Sequence, residues 1–349
     1  MKTLLNRTNG AWRISGALLF AACLAAASLL SSCKSDPQSA NGPNLPLAQG
    51  GHGGGSTAYP EIVYFAMKTS GHTSIPGLWV MDSSGTNATC IYSTTASAAP
   101  MYCPTWSPSG GSACFVQNDN QNSLGNYYYR LMRTDISVSN GVPVGSNVIN
   151  VCSFNYYGDS TSFQKAAWCP NSSINTIAFT TTDRKNLPFA QKTYKLELVS
   201  ATGGTPSVLY SDTDQALGGL GWSPDGNFIA VGVAKPWGNY IKVIDMSGNV
   251  RHTYGPFAST MSSIEYGRTN GKIAYAREGG TGIYTLDTAS GNSTLIRAVE
   301  AGGGACWSPT DWKMVYAYNT SGYPVSTIKV ATGDTARIQI PGLWPNWKR

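Results

Sequence analysis

Short runs of alternating apolar and polar residues fill the chain from about residue 60 onwards, and turn sequences rich in Gly, Asn, Asp and Pro separate them. A period of two predicts β-strands that bury one face. The clearest runs are Tyr194–Leu198, Ile241–Asp245 and Ile283–Asp287. No stretch after residue 60 shows the 3.6-residue period of a helix. The pattern therefore predicts an all-β fold.

One block recurs along this part of the chain: an aromatic residue, a tight turn and a short apolar strand. Its most complete copy is Trp222-Ser223-Pro224-Asp225-Gly226, followed by the strand Phe228–Val231. Units of roughly 40–50 residues with four strands are typical of the blades of a β-propeller. The aromatic positions, spaced 40 to 62 residues apart, are Trp106, Trp168, Trp222, Tyr266, Trp307 and Trp347.

The last aromatic residue, Trp347, has no apolar strand after it. A strand of the right type lies at the other end of the repeat region, at Ile62–Phe65. We therefore expect the C-terminal strand to complete the blade that the N-terminal strand begins, which closes the ring and leaves no inner edge exposed. Six such apolar strands predict a single six-bladed β-propeller over residues 59–349.

Composition agrees with this fold and excludes other classes. The 39 glycines and 19 prolines disfavour a helical bundle, and 42% hydrophobic residues disfavour disorder of the whole chain. Only 12% of the residues are charged, about half the usual share for a soluble domain. The net charge of +6 is small and unclustered, so we do not expect nucleic-acid binding.

The first 33 residues have the layout of a secretory signal, with a basic lead before the apolar segment 14–30. The segment ends in Leu30-Ser31-Ser32-Cys33, which resembles the bacterial lipobox. This resemblance implies that Cys33 carries a lipid through its sulfur and anchors the chain to a membrane; a plain signal peptide or an uncleaved anchor is the alternative. Residues 34–58 are rich in Gly and Pro, and we expect a flexible tether there.

The repeat itself resembles the WD40-like (PD40) repeat of TolB-like proteins. The match consists of the Trp-Ser-Pro-Asp-Gly turn at 222–226, an Ile-Ala-Phe-like strand, a Tyr-Val-Met-Asp-like strand and a Gly turn, and it covers residues 59–349. It implies a TolB-like six-bladed propeller on a lipoprotein of the bacterial cell envelope. Lysine at position 34 favours the outer membrane, with the periplasmic or surface face left open, and we expect a monomer.

The repeated tryptophans are expected to fill the space between blades, so function is sought where the repeats differ. The connection between the two repeat strands falls on one face of the disc in every blade. In a chain with few charges, this register is enriched in them, and we predict that it rings one mouth of the central channel as a binding surface. Solvated loop tips are the alternative. The ring comprises Lys68, Asp119, Asp183, Arg184, Lys235, Trp237, Arg277, Glu278, Tyr318 and Asn319, with Asn118 beside Asp119.

Six cysteines follow Cys33, in a compartment that permits disulfides. If Trp106 pairs with Gly111 across its turn, Cys103 faces Cys114, and we predict a disulfide between them. Buried thiols are the alternative for all six cysteines.

The sequence contains no nucleophile motif and no spaced Cys/His set for a metal. We therefore expect no cofactor, no metal and no catalysis. The predicted function is binding of a protein, peptide or glycan partner at the cell envelope. The alternative is a polysaccharide hydrolase or lyase with its site in the channel, since paired carboxylates need proximity in space rather than in sequence.

Overall fold

The structure is a computed structural model that describes residues 60–70, 73–94, 101–120, 127–156, 162–183, 193–213, 216–277, 282–299, 301–318 and 324–348. The predicted signal peptide, Cys33 and the tether lie outside these residues. The described segments contain β-strands and no helix. Within them, no helix is long and apolar enough to cross a membrane.

The strands form six antiparallel sheets of four strands each. From the innermost to the outermost strand, blade 1 contains β24 (Leu343–Trp347), β1 (Ile62–Ser70), β2 (Thr73–Met81) and β3 (Thr89–Ser93); blade 2 contains β4 (Met101–Trp106), β5 (Ser112–Asn120), β6 (Tyr127–Ser139) and β7 (Val142–Tyr156); blade 3 contains β8 (Ser162–Trp168), β9 (Thr176–Asp183), β10 (Thr193–Ser200) and β11 (Ser207–Thr213); blade 4 contains β12 (Ala216–Trp222), β13 (Phe228–Lys235), β14 (Gly238–Asp245) and β15 (Val250–Phe257); blade 5 contains β16 (Met261–Tyr266), β17 (Lys272–Arg277), β18 (Ile283–Asp287) and β19 (Ser293–Arg297); and blade 6 contains β20 (Ala301–Trp307), β21 (Lys313–Tyr318), β22 (Pro324–Lys329) and β23 (Thr335–Pro341).

The six innermost strands contact one another in a closed ring, in the order β24, β4, β8, β12, β16, β20 and back to β24. This arrangement confirms the predicted six-bladed propeller. Ring closure also follows the prediction, because β24 pairs with β1 through Ile62 with Trp347 and Phe65 with Leu343. The backbone N–H of Lys348 extends the pairing by donating to the carbonyl oxygen of Glu61 at 2.6 Å.

Each of the six repeated aromatic residues ends an innermost strand and is buried. Three of the indoles also join neighbouring blades through hydrogen bonds to backbone carbonyl oxygens. Trp222 Nε1 donates to Ala167 O at 2.9 Å, and Trp307 Nε1 donates to Glu265 O at 3.2 Å. Trp106 Nε1 makes the equivalent bond to the carbonyl oxygen before Trp347, at 3.2 Å. These side chains therefore fill and fasten the joints between blades, as predicted.

The alternating strand directions give the disc two distinct faces. We call the face with the turns between first and second strands, and between third and fourth strands, the turn face. The opposite face, with the connections between second and third strands and between blades, is the loop face. The second strand of a blade starts at the turn face and its first strand ends there. The described chain therefore enters at Pro60 and leaves at Lys348 on the turn face.

A carboxylate joins two blades on the turn face. Asp311 accepts backbone N–H groups of Arg268 at 2.9 Å, Thr269 at 2.6 Å and Asn270 at 3.3 Å, all from the turn of the neighbouring blade. Asp311 stands where the complete repeat has Gly226, and both residues have a positive φ, of 58° and 76°. Asp tolerates this conformation better than most residues, so the position can carry a side chain that reaches the next blade.

The predicted disulfide between Cys103 and Cys114 is not formed, because the strand register differs from the expected one. Thr105 pairs with Cys114, and Cys103 lies in an irregular stretch with φ 52° beside Pro104. Proline has no N–H to donate and interrupts the ladder at this point. Both cysteines are buried thiols. Burial raises the pKa of Cys103 to about 11 and that of Cys114 well above its usual range, which keeps them protonated and unreactive.

Blade 2 carries a long hairpin that the sequence patterns did not reveal. Its third and fourth strands, β6 and β7, have 13 and 15 residues, more than any other described strand. Their turn is Asn140-Gly141, with φ of 51° and 79°, the two positive φ values that a type I′ hairpin requires. Pairing with β5 stops at Asp135, so residues 136–145 extend as a two-stranded tip at the turn face. We call this tip the valine arm, because Val138, Val142 and Val144 are its exposed apolar side chains.

Candidate functional site

The predicted ring residues lie on the loop face, at or next to the ends of the second strands. Lys68, Asp119, Asp183 and Tyr318 belong to the final residues of β1, β5, β9 and β21, and their backbones share this face. Arg184, Glu278 and Asn319 lie outside the described residues. Side-chain geometry is described for the ring residues Lys235, Trp237 and Arg277, and for the neighbouring Asn118, which is buried.

The tip between β13 and β14 presents a tryptophan to solvent. Lys235 pairs with Gly238, so Pro236 and Trp237 form the tip of a tight hairpin. Trp237 is 69% exposed, the highest value among the large hydrophobic residues of the described chain that are exposed. The Lys235 ammonium lies 5.4 Å from the centre of its ring, a cation–π contact that fixes the orientation of both side chains.

Arg277, at the end of β17, is held by aromatic rings. Its guanidinium lies 4.1 Å from the ring centre of Tyr284 and 5.6 Å from that of Phe257. Tyr284 belongs to the third strand of blade 5, and Phe257 to the outermost strand of blade 4. The side chain therefore points along the joint between two blades, away from the axis. This direction corrects the prediction that Arg277 lines the mouth of the central channel.

The two features share blade 4, because Asn239 beside the exposed tip pairs with Phe257. We refer to Lys235, Trp237, Phe257, Arg277 and Tyr284 together as the cation–aromatic surface. None of the described carboxylates forms an ion pair with Lys235 or Arg277. Two unpaired cations beside flat apolar rings suit a partner that offers a carboxylate next to apolar groups, since Trp, Tyr and Arg dominate binding energy in protein interfaces.

The central channel narrows to a small cavity at its turn-face end. Its volume is about 50 Å³, well below the roughly 300–1,000 Å³ of ordinary ligand pockets. Tryptophans at the ends of the innermost strands occupy most of its wall, and its charged lining residues are Lys165 and Glu265. Glu265 is the one carboxylate among the described residues that line this cavity. The cavity therefore does not present the two carboxylates of a glycosidase.

The repeated aspartate at the end of the third strand organises its own turn. Asp245 accepts backbone N–H groups of Ser247 and Asn249, both at 2.9 Å, and pairs with the Arg251 guanidinium. The Asn249 backbone donor is the main reason why the pKa of Asp245 falls to about 2. Asp287 is held in the same way by Ser290, and its pKa is also lowered. These carboxylates are fixed structural acceptors of the turn face.

The described residues contain no group of three or more His, Cys, Asp or Glu side chains that could hold a metal ion. Asp212, from the acidic pair at 212 and 214, is instead part of a joint between blades 3 and 4. It accepts a hydrogen bond from Lys242 Nζ at 3.0 Å and from the Tyr210 hydroxyl at 2.5 Å.

The fold and these faces define the class of protein: a TolB-like six-bladed β-propeller. No family model matches the sequence, and no curated protein matches it. Among solved structures, the chain is similar to TolB from Acinetobacter baumannii, with 15% identity over 83% of this chain and 66% of that chain and a TM-score of 0.56. It thus spans slightly less than two thirds of that TolB.

Two further structures have similar folds. A nidogen/laminin complex matches with 13% identity over 83% of this chain and 98% of that chain, with a TM-score of 0.55. A putative TolB from Agrobacterium tumefaciens matches with 17% identity over 73% of this chain and 86% of that chain, with a TM-score of 0.49. At these identities the likeness concerns the fold.

Proposed function

We propose that this chain is a bacterial envelope lipoprotein whose propeller binds a protein partner through the loop face, without catalysis. The cation–aromatic surface carries the proposal. Trp237 is 69% exposed, and the cations of Lys235 and Arg277 are held against aromatic rings at 5.4 and 4.1 Å. Burying such a tryptophan and pairing such cations supply binding energy that the isolated propeller leaves unused.

The names of the similar structures support binding to proteins. One of them is a complex of two proteins, nidogen and laminin, and another is TolB. A propeller needs no moving parts to act in this way, because its face presents loops from six blades on a rigid scaffold.

The direction of the chain supports anchoring that leaves the loop face free. The lipobox-like sequence ending at Cys33 and the tether of residues 34–58 precede Pro60, where the described chain enters on the turn face. A lipid at Cys33 would therefore hold the turn face towards the membrane and direct the loop face to partners. In this proposal the location is the cell envelope, with the chain anchored at the outer membrane.

Affinity capture from solubilised envelopes tests the proposal. We expect the intact chain to retain a stoichiometric protein partner, and the double variant Lys235→Ala/Trp237→Ala to lose about 30-fold or more in affinity, as expected for about 2 kcal/mol at a hot spot. Val208→Ala, at a 52% exposed position on the outer strand of blade 3, is the control and should retain the partner. Equal capture by the double variant, capture of a glycan alone, or turnover of a polysaccharide would contradict the proposal.

A further inference from the structure

We propose that the turn face rests on the lipid bilayer, with the valine arm and Trp312 as its two lipid contacts. This inference rests on the proposed lipid anchor and concerns the face opposite to the partner-binding surface. It assigns a role to the most prominent apolar features of the turn face, which the protein partner proposed above does not contact.

The valine arm is apolar where a soluble hairpin is usually charged. Val138, Val142 and Val144 are 48%, 51% and 44% exposed. No residue from 136 to 156 carries a charge. Natural proteins usually protect exposed strands with Lys, Glu or Pro, and within the tip only Pro143 has this effect. Exposed apolar side chains without neighbouring charges favour an apolar surrounding.

Trp312 supplies the second contact, on the first turn of blade 6. It is 52% exposed, and the ammonium of Lys313 lies 4.0 Å from the centre of its ring. Tryptophan prefers the boundary between acyl chains and headgroups, where its ring is buried and its N–H stays hydrated. The adjacent lysine is placed for the negative headgroups of a bacterial bilayer.

The chain entry lies between these two contacts. Blade 1, where the described chain begins at Pro60, has blade 2 on one side and blade 6 on the other. The valine arm leans towards blade 1, since a Cβ on Gly145 would clash with the carbonyl oxygen of Ile91. The predicted tether of residues 34–58 would span about 25–30 Å. A lipid at Cys33 would thus hold both contacts close to the bilayer at high effective concentration.

A flat surface explains both contacts better than a second copy of the chain does. A second copy could pair with the outer edge of β7, but Gly145 already abuts blade 1, so only a short edge is free. Such a copy would leave Trp312, two blades away, uncovered. A bilayer covers both positions at once because they lie on the same face.

Fluorescence quenching in proteoliposomes tests the inference with the full chain. An environment-insensitive fluorophore is attached to Val142→Cys, Trp312→Cys or Trp237→Cys, in vesicles of phosphatidylethanolamine and phosphatidylglycerol with some lipids brominated on their acyl chains. The unsubstituted chain, labelled in parallel, gives the background from native cysteines. The mass of the N-terminal peptide shows whether Cys33 is acylated.

We expect quenching of about two-fold or more at positions 142 and 312, as for side chains buried 5–10 Å in the interface, and little at position 237. Replacing the arm residues in Val138→Ser/Val144→Ser should reduce the quenching at 142. Acylated protein with equal quenching at all three positions, or with contact between copies at 142 instead of quenching, would overturn the inference and leave partner binding untouched. An unmodified Cys33 would overturn both the anchor and this inference, whereas loss of partner capture alone would affect only the proposed function.

Discussion

Deleting residues 343–349 should abolish cooperative unfolding and leave a chain that proteases digest readily. The deletion removes β24, the innermost strand of blade 1, which pairs with β1 and contacts the innermost strands β20 and β4 of both neighbouring blades. It exposes the inner edge of β1 and uncovers two hydrophobic clusters, one containing Trp347 and one packed against Leu343 and Trp344. The ring would then be open at the point where its two ends meet.

The matched control is a chain that ends at Trp347. It lacks one backbone hydrogen bond, from Lys348 to Glu61, and keeps every residue of β24. Differential scanning calorimetry and limited proteolysis compare the two chains with the intact protein. The control should melt within a few degrees of the intact protein, and a sharp transition at the same temperature for the chain without β24 would show that ring closure contributes little.

Replacing Asp311 with Gly should destabilise the propeller by about 2 kcal/mol, the cost of leaving hydrogen-bond donors of a partly buried joint without their charged acceptor. Gly accepts the positive φ of this position without strain, so the variant isolates the carboxylate that joins blades 5 and 6. Urea unfolding followed by tryptophan fluorescence measures the change in the free energy of unfolding.

Thr310→Ala is the matched control for this prediction, because Thr310 is an exposed neighbour in the same turn. It should change the free energy of unfolding by less than about 0.5 kcal/mol. If Asp311→Gly were as stable as this control, water would satisfy the three backbone N–H groups and the carboxylate would not fasten the blades.

The spacing of the aromatic residues was enough to predict the architecture. Trp222 and its five counterparts each end an innermost strand, because a large flat side chain at a fixed place in every blade is the means of filling the joints. The match of Ile62–Phe65 to a missing strand predicted ring closure correctly. Both signals are local, and the repeat reproduces them, so one sequence contains several independent copies of the same information.

Strand register was predicted less well, as Cys103 shows. The expectation that it faces Cys114 assumed a regular ladder from Trp106 backwards. Pro104 interrupts that ladder and Cys103 adopts a positive φ, so the pairing shifts. The proline was visible in the sequence, and its missing N–H was the signal that could have corrected the prediction.

Side-chain direction and hairpin length were beyond the sequence patterns. Arg277 was placed on the correct face, but its direction depends on Phe257 and Tyr284, which come from two blades. The Asn140-Gly141 pair between alternating valines is a strong signal for a hairpin. Its length, however, depends on where pairing with β5 ends, and no periodicity along one strand shows this.

The two exposed tryptophans allow the most direct test of the account, which assigns the loop face to a protein partner and the turn face to the membrane. Hydroxyl-radical oxidation of Trp237 and Trp312 is measured by mass spectrometry in native envelopes, in protein-free proteoliposomes and in detergent-purified protein. The account predicts that Trp237 is protected only in envelopes, and that Trp312 is protected in both envelopes and proteoliposomes. Equal oxidation of Trp237 in all three preparations would contradict the assignment of the loop face to a protein partner.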